Sequence, residues 1–163
     1  MAIDFTAKQV IFMIGAGGSG KSYSLRNSKY ADLKVVNSDH FIENSPEWVG
    51  NGGSREAFEL HEWASELMET QWSEMLQGDE SFVLDGTGKT RANVEKRMEA
   101  ARAAGFTVTI FWVYAQLETC LARNAKRDRV VPEHVIVDAW YKVKANFPHY
   151  RAAADVVEVA INY

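Results

Sequence analysis

The sequence predicts an α/β fold in which a parallel sheet is covered by helices on both sides. Segments typical of strands and of helices alternate along the chain, which is the pattern of parallel sheets. A continuous apolar run from Gln9 to Gly15 ends in glycines, as expected of a strand buried on both faces. The 163 residues contain no repeat, low-complexity tract or linker. At about 100–200 residues per domain, this length predicts one domain spanning residues 1–163.

The other elements follow from local periodicity and from Gly and Pro. Short β-branched or aromatic runs predict further strands at 33–37, 81–85, 106–114 and 154–161. Apolar spacing and terminal signals predict helices at 21–28, 55–77, 90–104, 116–126 and 133–145. The segment 43–54 is rich in Gly, Asn, Ser and Pro and is predicted to be a loop. Four tryptophans fall at core spacing and are predicted to be buried: Trp63, Trp72, Trp112 and Trp140.

Composition and charge exclude several classes of protein. The single cysteine, Cys120, excludes an intrachain disulfide and favours a cytoplasmic protein. No apolar run approaches the roughly 18 residues needed to span a bilayer, so no membrane partner is expected. The net charge of −4 provides no bulk attraction for nucleic acid. It is unevenly distributed, with eleven acids and one base in 39–80 but six acids and twelve bases in 86–151.

The strongest motif is a phosphate-binding loop. Residues 15–22, GAGGSGKS, match G-x-x-x-x-G-K-[ST] in full and lie between a predicted strand and a short helix. The glycines allow successive backbone N–H groups to turn inward around an anion, and the helix directs its positive end at the phosphates. Lys21 is expected to bridge the β- and γ-phosphates of ATP, and the Ser22 hydroxyl to bind Mg²⁺. The expected nucleotide-binding residues of this loop are Gly15, Gly17, Gly18, Ser19, Gly20, Lys21 and Ser22.

Among nucleotide-binding classes, the sequence favours a small kinase. The N-K-x-D motif that reads guanine in GTPases does not occur. A motor or AAA-type ATPase usually carries a second carboxylate beside the Walker B aspartate, whereas strand 81–85 ends in one acid, Asp85. A small kinase needs the phosphate loop, a base for the acceptor hydroxyl, and arginines that stabilise the transferred phosphoryl group.

Two aspartates follow predicted strands on the side of the sheet where ligands bind in open α/β folds. Asp39 is the candidate general base and acceptor-binding residue. Asp85 is expected to assist Mg²⁺ through water or to hold the acceptor. The alternative for Asp39 is a helix N-cap or turn residue, and the alternative for Asp85 is a cap. His40 and Trp48 are candidates for substrate contact, with a plain polar contact and a buried loop anchor as their alternatives.

Four cations cluster in the run RNAKRDR at 123–129. Arg123 and Arg127 are four positions apart and therefore share one helix face. Because guanidinium groups suit phosphate oxygens, both are expected to bind ATP, and Arg127 also to stabilise the transferred phosphoryl group. The alternative is a cationic helix C-terminus favoured by the helix dipole.

Together these motifs resemble the small P-loop kinases of the polynucleotide-kinase and zeta-toxin-like group, including the 5′-kinase domain of phage polynucleotide kinases. The landmarks are the loop 15–22, Asn-Ser-Asp at 37–39, Asp-Gly-Thr at 85–87, and the arginine run followed by Val131-Pro132. The resemblance implies a P-loop NTPase three-layer sandwich, a sheet order of 2-3-1-4-5, and a lid at about 123–132. It also implies that Asp39 is the general base, and that Lys21 and Arg127 stabilise the phosphoryl group.

Two departures from this family bear on the acceptor. Tyr23 follows Ser22 where such kinases often have threonine, and Ile42 stands where polynucleotide kinase has an arginine that grips substrate phosphate. Similar phage kinases phosphorylate 5-hydroxymethyluracil in DNA, and a phage-encoded protein would act in the host cytoplasm. The sequence therefore predicts an ATP- and Mg²⁺-dependent kinase acting on a nucleic-acid hydroxyl, either a base hydroxymethyl group or a 5′-OH end. The alternatives are a zeta-toxin-like kinase for a nucleoside, nucleotide or nucleotide sugar, and a non-catalytic ATP-binding switch.

Overall fold

The computed structural model describes residues 7–37, 55–127 and 130–163, with side chains in the helix that begins at Arg55 described from residue 62 onward. The strands are β1 (Gln9–Ile14), β2 (Lys34–Val36), β3 (Phe82–Asp85), β4 (Thr107–Tyr114) and β5 (Val156–Ile161). The helices are α1 (Lys21–Arg26), α2 (Arg55–Gln77), α3 (Arg91–Ala103), α4 (Leu117–Ala125) and α5 (Glu133–Ala153).

The five strands form one parallel sheet in the order β2-β3-β1-β4-β5. The predicted fold class and strand order are therefore confirmed. β1 is central, with Met13 opposite Asp85 of β3 and Ile14 opposite Trp112 of β4. Since parallel strands end at one edge of the sheet, the loop after β1 and the loop after β3 lie side by side.

Helices cover both faces of the sheet, which explains why β1 is apolar along nearly its whole length. One face packs Phe12, Phe82 and Ile110 against side chains of α2, α3 and α5, among them the fully buried Tyr150. The other face packs Ile11, Met13, Phe111 and Val113 against Leu25 of α1 and Tyr30. Each such side chain stabilises the fold by roughly 1.5–3 kcal/mol when it is fully buried.

Two sequence predictions need correction. Helix α5 continues to Ala153, beyond the predicted end at 145, because Phe147 and Tyr150 extend its apolar stripe while Pro148 faces solvent. Trp63 is 44% exposed, whereas Trp72 is 5% exposed. The two tryptophans are nine positions apart on α2, which is half a turn out of phase at 3.6 residues per turn, so they lie on opposite faces.

No helix in the described part of the chain is long and apolar enough to cross a membrane.

Candidate active site

The phosphate loop connects β1 to α1 and requires glycine at several positions. Gly18 and Gly20 have φ of 82° and 94°, in the left-handed region that other residues rarely adopt. A Cβ on Gly18 would lie 2.4 Å from the Cys120 carbonyl oxygen, and a Cβ on Gly20 would lie 2.5 Å from Asn162 Nδ2. The loop is thus packed closely against α4 on one side and against the residue after β5 on the other.

Lys21, the first residue of α1, directs its amine into the space between β1 and β3. Lys21 Nζ donates to the Gly15 carbonyl at 3.0 Å and to the Gly86 carbonyl at 3.1 Å. It also lies 3.8 Å from Asp85 Oδ1, and its side chain is largely buried. The amine is therefore held where the loops after β1 and β3 meet. The adjacent Ser22 is exposed in the first turn of α1.

Asp85 ends β3 with one oxygen engaged and one without a hydrogen bond. Asp85 Oδ2 accepts a hydrogen bond from Asn37 Nδ2 at 2.8 Å, which ties the ends of β2 and β3 together. Asp85 Oδ1 is buried and has no hydrogen-bond partner within 7–37, 55–127 and 130–163. Such an orphaned carboxylate oxygen suits Mg²⁺, which prefers oxygen ligands and is usually bound by one or two carboxylates together with phosphates. Asp85 and the Ser22 hydroxyl fit that donor set.

Across the described residues there is no group of three or more His, Cys, Asp or Glu side chains that would enclose a metal ion. Mg²⁺ at a phosphate site keeps several waters and takes much of its coordination from the nucleotide, so it needs no such cage. The arrangement around Asp85 is therefore compatible with an ion delivered together with ATP.

Both predicted arginines reach the phosphate loop. Arg123 Nη1 donates to the Gly18 carbonyl at 3.2 Å, and its Nη2 donates to the Tyr163 carbonyl at 3.2 Å. Arg127 Nη1 lies 3.5 Å from the point that a Cβ on Gly17 would occupy. Arg123 thus braces the loop through main-chain carbonyls, whereas Arg127 lies beside the glycines that are expected to face the phosphates.

Within the predicted lid region 123–132, of which residues 128 and 129 lie outside the described part of the chain, a buried asparagine holds Val131. Asn124 is 1% exposed, and its Nδ2 donates to the Val131 carbonyl at 2.6 Å. The Val131 N–H in turn donates to Asn124 Oδ1 at 3.1 Å. One side chain therefore satisfies both backbone groups of Val131 and fixes the end of α4 relative to the start of α5.

Helix α5 holds the loop after β3. The Tyr150 hydroxyl donates to the Gly88 carbonyl at 2.6 Å, and Asn146 Nδ2 donates to the Lys89 carbonyl at 3.0 Å. Burial raises the pKa of Tyr150 to about 12, so the phenol stays protonated and remains a donor. The same loop is joined to the phosphate loop, because the Gly15 N–H donates to the Thr87 carbonyl at 2.9 Å.

Sequence reasoning missed Asn124, Asn146, Tyr150 and Asn162. Most of their partners are main-chain groups, which leave no mark in the sequence, and Tyr150 is 62 positions from Gly88. Asp39, His40 and Trp48 lie outside the described residues, so their predicted roles stay predictions.

A family model described as an AAA domain, AAA_33, matches residues 10–149. The chain belongs to the AAA_33 family. The matched range of this AAA_33 chain contains the phosphate loop, Asp85, Arg123 and Arg127. The family bears the AAA name, although this chain has no second carboxylate beside Asp85 of the kind that a motor or AAA-type ATPase usually carries. No curated protein sequence matches the chain significantly.

Solved structures share the fold of this AAA_33 chain at low identity. A complex of AvrRxo1-ORF1 with AvrRxo1-ORF2 has a TM-score of 0.76 at 16% identity, over 90% of this chain and 50% of that one. A second structure of the pair contains ATP. The Pnkp1/Rnl/Hen1 RNA repair complex has a TM-score of 0.69 at 15% identity, over 88% of this chain and 46% of that one. Shikimate kinase from Acinetobacter baumannii in complex with shikimate has a TM-score of 0.53 at 21% identity, over 94% of this chain and 84% of that one.

The AAA_33 chain therefore has a kinase-like P-loop fold and spans half of the AvrRxo1 chain that it matches.

Proposed function

We propose that this AAA_33 chain is an ATP- and Mg²⁺-dependent kinase that transfers the γ-phosphoryl group to a hydroxyl. The observation that carries the proposal is the position of Lys21 Nζ, which lies 3.0 Å from the Gly15 carbonyl and 3.8 Å from Asp85 Oδ1. A cation is thus held between a glycine-rich anion site and a carboxylate of which one oxygen accepts no hydrogen bond from the described residues. Phosphoryl transfer depends mainly on such positioning and electrostatic stabilisation.

Each group in the site has a role in this proposal. The backbone N–H groups at the start of α1 have no intrahelical partner and would bind phosphate oxygens. Lys21 and Arg127 would stabilise negative charge on the transferred group. Mg²⁺, when bound near Ser22 and Asp85, would neutralise charge on the β- and γ-phosphates.

Asp39 is the proposed general base. It follows Asn37 by two positions, and the Asn37 amide binds Asp85 at the ends of β2 and β3. A carboxylate that faces the acceptor would orient its hydroxyl and take its proton as the phosphoryl group arrives.

We propose that the acceptor is a hydroxyl of a nucleic acid, either the hydroxymethyl group of 5-hydroxymethyluracil in DNA or a 5′-OH end. The support is the motif resemblance to polynucleotide kinases, together with the shared fold of the Pnkp1 RNA repair complex. A base acceptor would have to be single-stranded or turned out of the duplex to reach the site.

A small-molecule acceptor, such as a nucleoside, nucleotide or nucleotide sugar, is the second candidate. Helix α2, the first described helix after the Asp39 segment, exposes Glu62, Glu66 and Glu74. Nucleic-acid binding sites are normally basic because each bound phosphate needs a cation. This acidic surface therefore favours a small acceptor over a long polyanion.

The proposal is tested by transfer of labelled γ-phosphate from ATP with Mg²⁺. The acceptors are DNA with free 5′-OH ends, end-blocked DNA containing hydroxymethyluracil, RNA, and a pool of nucleosides and nucleotide sugars. Label in the end-blocked modified DNA supports a base kinase, and label only at free ends supports a 5′-kinase. Label only in the small-molecule pool contradicts the nucleic-acid acceptor. ATP binding without any transfer contradicts the kinase proposal and favours an ATP-binding switch.

A further inference from the structure

The side-chain amide of Asn162 contacts the phosphate loop from outside the nucleotide site. Asn162 directly follows β5, and its backbone N–H donates to the Tyr114 carbonyl at 2.8 Å, which continues the pairing of β4 with β5. Asn162 Nδ2 lies 2.8 Å from the Ser19 carbonyl oxygen, 3.5 Å from that of Gly20 and 3.1 Å from Ser24 Oγ. Because carbonyl oxygens only accept, the atom facing them has to be the amide nitrogen.

This contact determines which way one peptide of the loop faces. In a trans peptide the carbonyl of one residue and the N–H of the next point in opposite directions. An outward Ser19 carbonyl, held by Asn162, therefore turns the Gly20 N–H toward the concave side of the loop. A reversed peptide would present a carbonyl oxygen to the phosphates and repel them.

The Ser19 carbonyl, like that of Gly18, which accepts from Arg123 Nη1, takes its donor from outside the loop. The Ala16 carbonyl accepts from the Ser19 N–H at 3.1 Å, and the Gly20 carbonyl accepts from the Ser24 N–H at 2.9 Å. Those carbonyls are thus fixed within the loop and helix. The Ser19 carbonyl instead accepts from Asn162, which is 143 positions away. Because the residue after this peptide is Gly20, which has no Cβ, the peptide can rotate with little steric restriction.

We propose that Asn162 is a positioning residue for the nucleotide phosphates, which acts through the Ser19–Gly20 peptide without touching the ligand. The proposal rests on the proposed function, because it requires the loop to bind nucleotide phosphates. It gives the residue that follows β5, the edge strand farthest from β2, an indirect part in phosphate binding.

The test compares binding of inorganic tripolyphosphate, ADP and adenosine by calorimetry in the wild type, Asn162→Ala and Asn162→Asp. Loss of one hydrogen bond predicts tripolyphosphate and ADP affinities about 3–10-fold lower in Asn162→Ala. Asn162→Asp should lose more, because a carboxylate repels the Ser19 carbonyl and adds negative charge beside the phosphate site. Adenosine affinity should change less than twofold in both variants.

Asn27→Ala is the matched control. Asn27 Nδ2 also donates to a main-chain carbonyl, that of Tyr23 at 2.8 Å, but at the opposite end of α1. Its affinity for all three ligands should equal that of the wild type. Thermal unfolding of each variant separates a folding defect from a binding defect, and Asn162→Ser replaces Asn162→Asp if the latter does not fold.

Three results overturn the proposal. Unchanged tripolyphosphate affinity in folded Asn162 variants shows that the contact does not position the loop. An equal loss of adenosine affinity shows that Asn162 contacts the nucleoside instead. A wild-type protein that binds neither tripolyphosphate nor ADP overturns the proposed function as well, a result distinct from a loss confined to the Asn162 variants.

Discussion

Gly18→Ala is expected to lower the free energy of unfolding by about 1–5 kcal/mol. The φ of 82° places Gly18 in the left-handed region, which costs a residue with a Cβ about 1–2 kcal/mol. The new Cβ would also lie 2.4 Å from the Cys120 carbonyl oxygen, and overpacking of this kind typically costs about 1–3 kcal/mol. Replacing glycine by alanine also lowers the conformational entropy of the unfolded chain, which offsets about 0.4–1 kcal/mol of this destabilisation. The contact atom belongs to the backbone of α4, so it cannot move aside as a flexible side chain would.

Gly86→Ala is the matched comparison, because a Cβ there meets nothing within 4 Å and the φ of Gly86 is not positive. It should be neutral or stabilising by up to about 1 kcal/mol. Urea unfolding followed by circular dichroism gives both free energies. A Gly18→Ala protein as stable as Gly86→Ala would refute the close packing of the phosphate loop on α4.

Four further predictions concern catalysis and the loop after β3. Lys21→Ala should lower kcat about 10²–10³-fold, comparable to the loss of one oxyanion donor, in a steady-state transfer assay; near-normal turnover would contradict its assigned role. Asp39→Ala should abolish transfer while the Kd for ATP, measured by calorimetry, stays unchanged. Transfer at the wild-type rate in this variant would mean that another group is the base. Arg127→Ala should lower kcat more than it raises KM for ATP, whereas an effect confined to KM would make it a binding residue only. Tyr150→Phe should lose about 1 kcal/mol of stability with its hydrogen bond to Gly88. Because the folded pKa of Tyr150 is raised to about 12 from 10, the contribution of Tyr150 to stability should be complete below pH 10 and be lost as the pH rises from 10 to 12. The resulting fall in stability should be smaller in Tyr150→Phe, and equal slopes in alkaline urea titrations would show that Tyr150 does not contribute.

The parts of the fold that local sequence encodes were predictable. The burial of β1 and the glycine loop follow from a few consecutive residues, and the predicted bounds of α2 match the structure. The strand order came only from family resemblance, since periodicity does not determine which strands are neighbours. The end of α5 was missed because Pro148 usually interrupts a helix, although its missing N–H is tolerated where the ring is exposed.

The sequence predicted those residues of the candidate site whose side chains belong to a recognisable motif. Lys21 and Asp85 were identified from the sequence, and the structure places them 3.8 Å apart. The groups that hold the loops, Asn162 and Tyr150, were not identified. They act on carbonyls that are 143 and 62 positions away, and any residue type can supply a carbonyl.

The position of β1 within the sheet has a consequence for synthesis of the protein on the ribosome. β1 emerges well before both of its neighbours, since Val10 pairs with Phe82 on one side and with Val108 on the other. Sheets that rely on such distant pairings fold slowly, because the long intervening chain must be ordered first. The phosphate loop would then gain its last support only when residue 162 has left the exit tunnel. A nascent chain should therefore reach full phosphate affinity only after residue 162 has emerged.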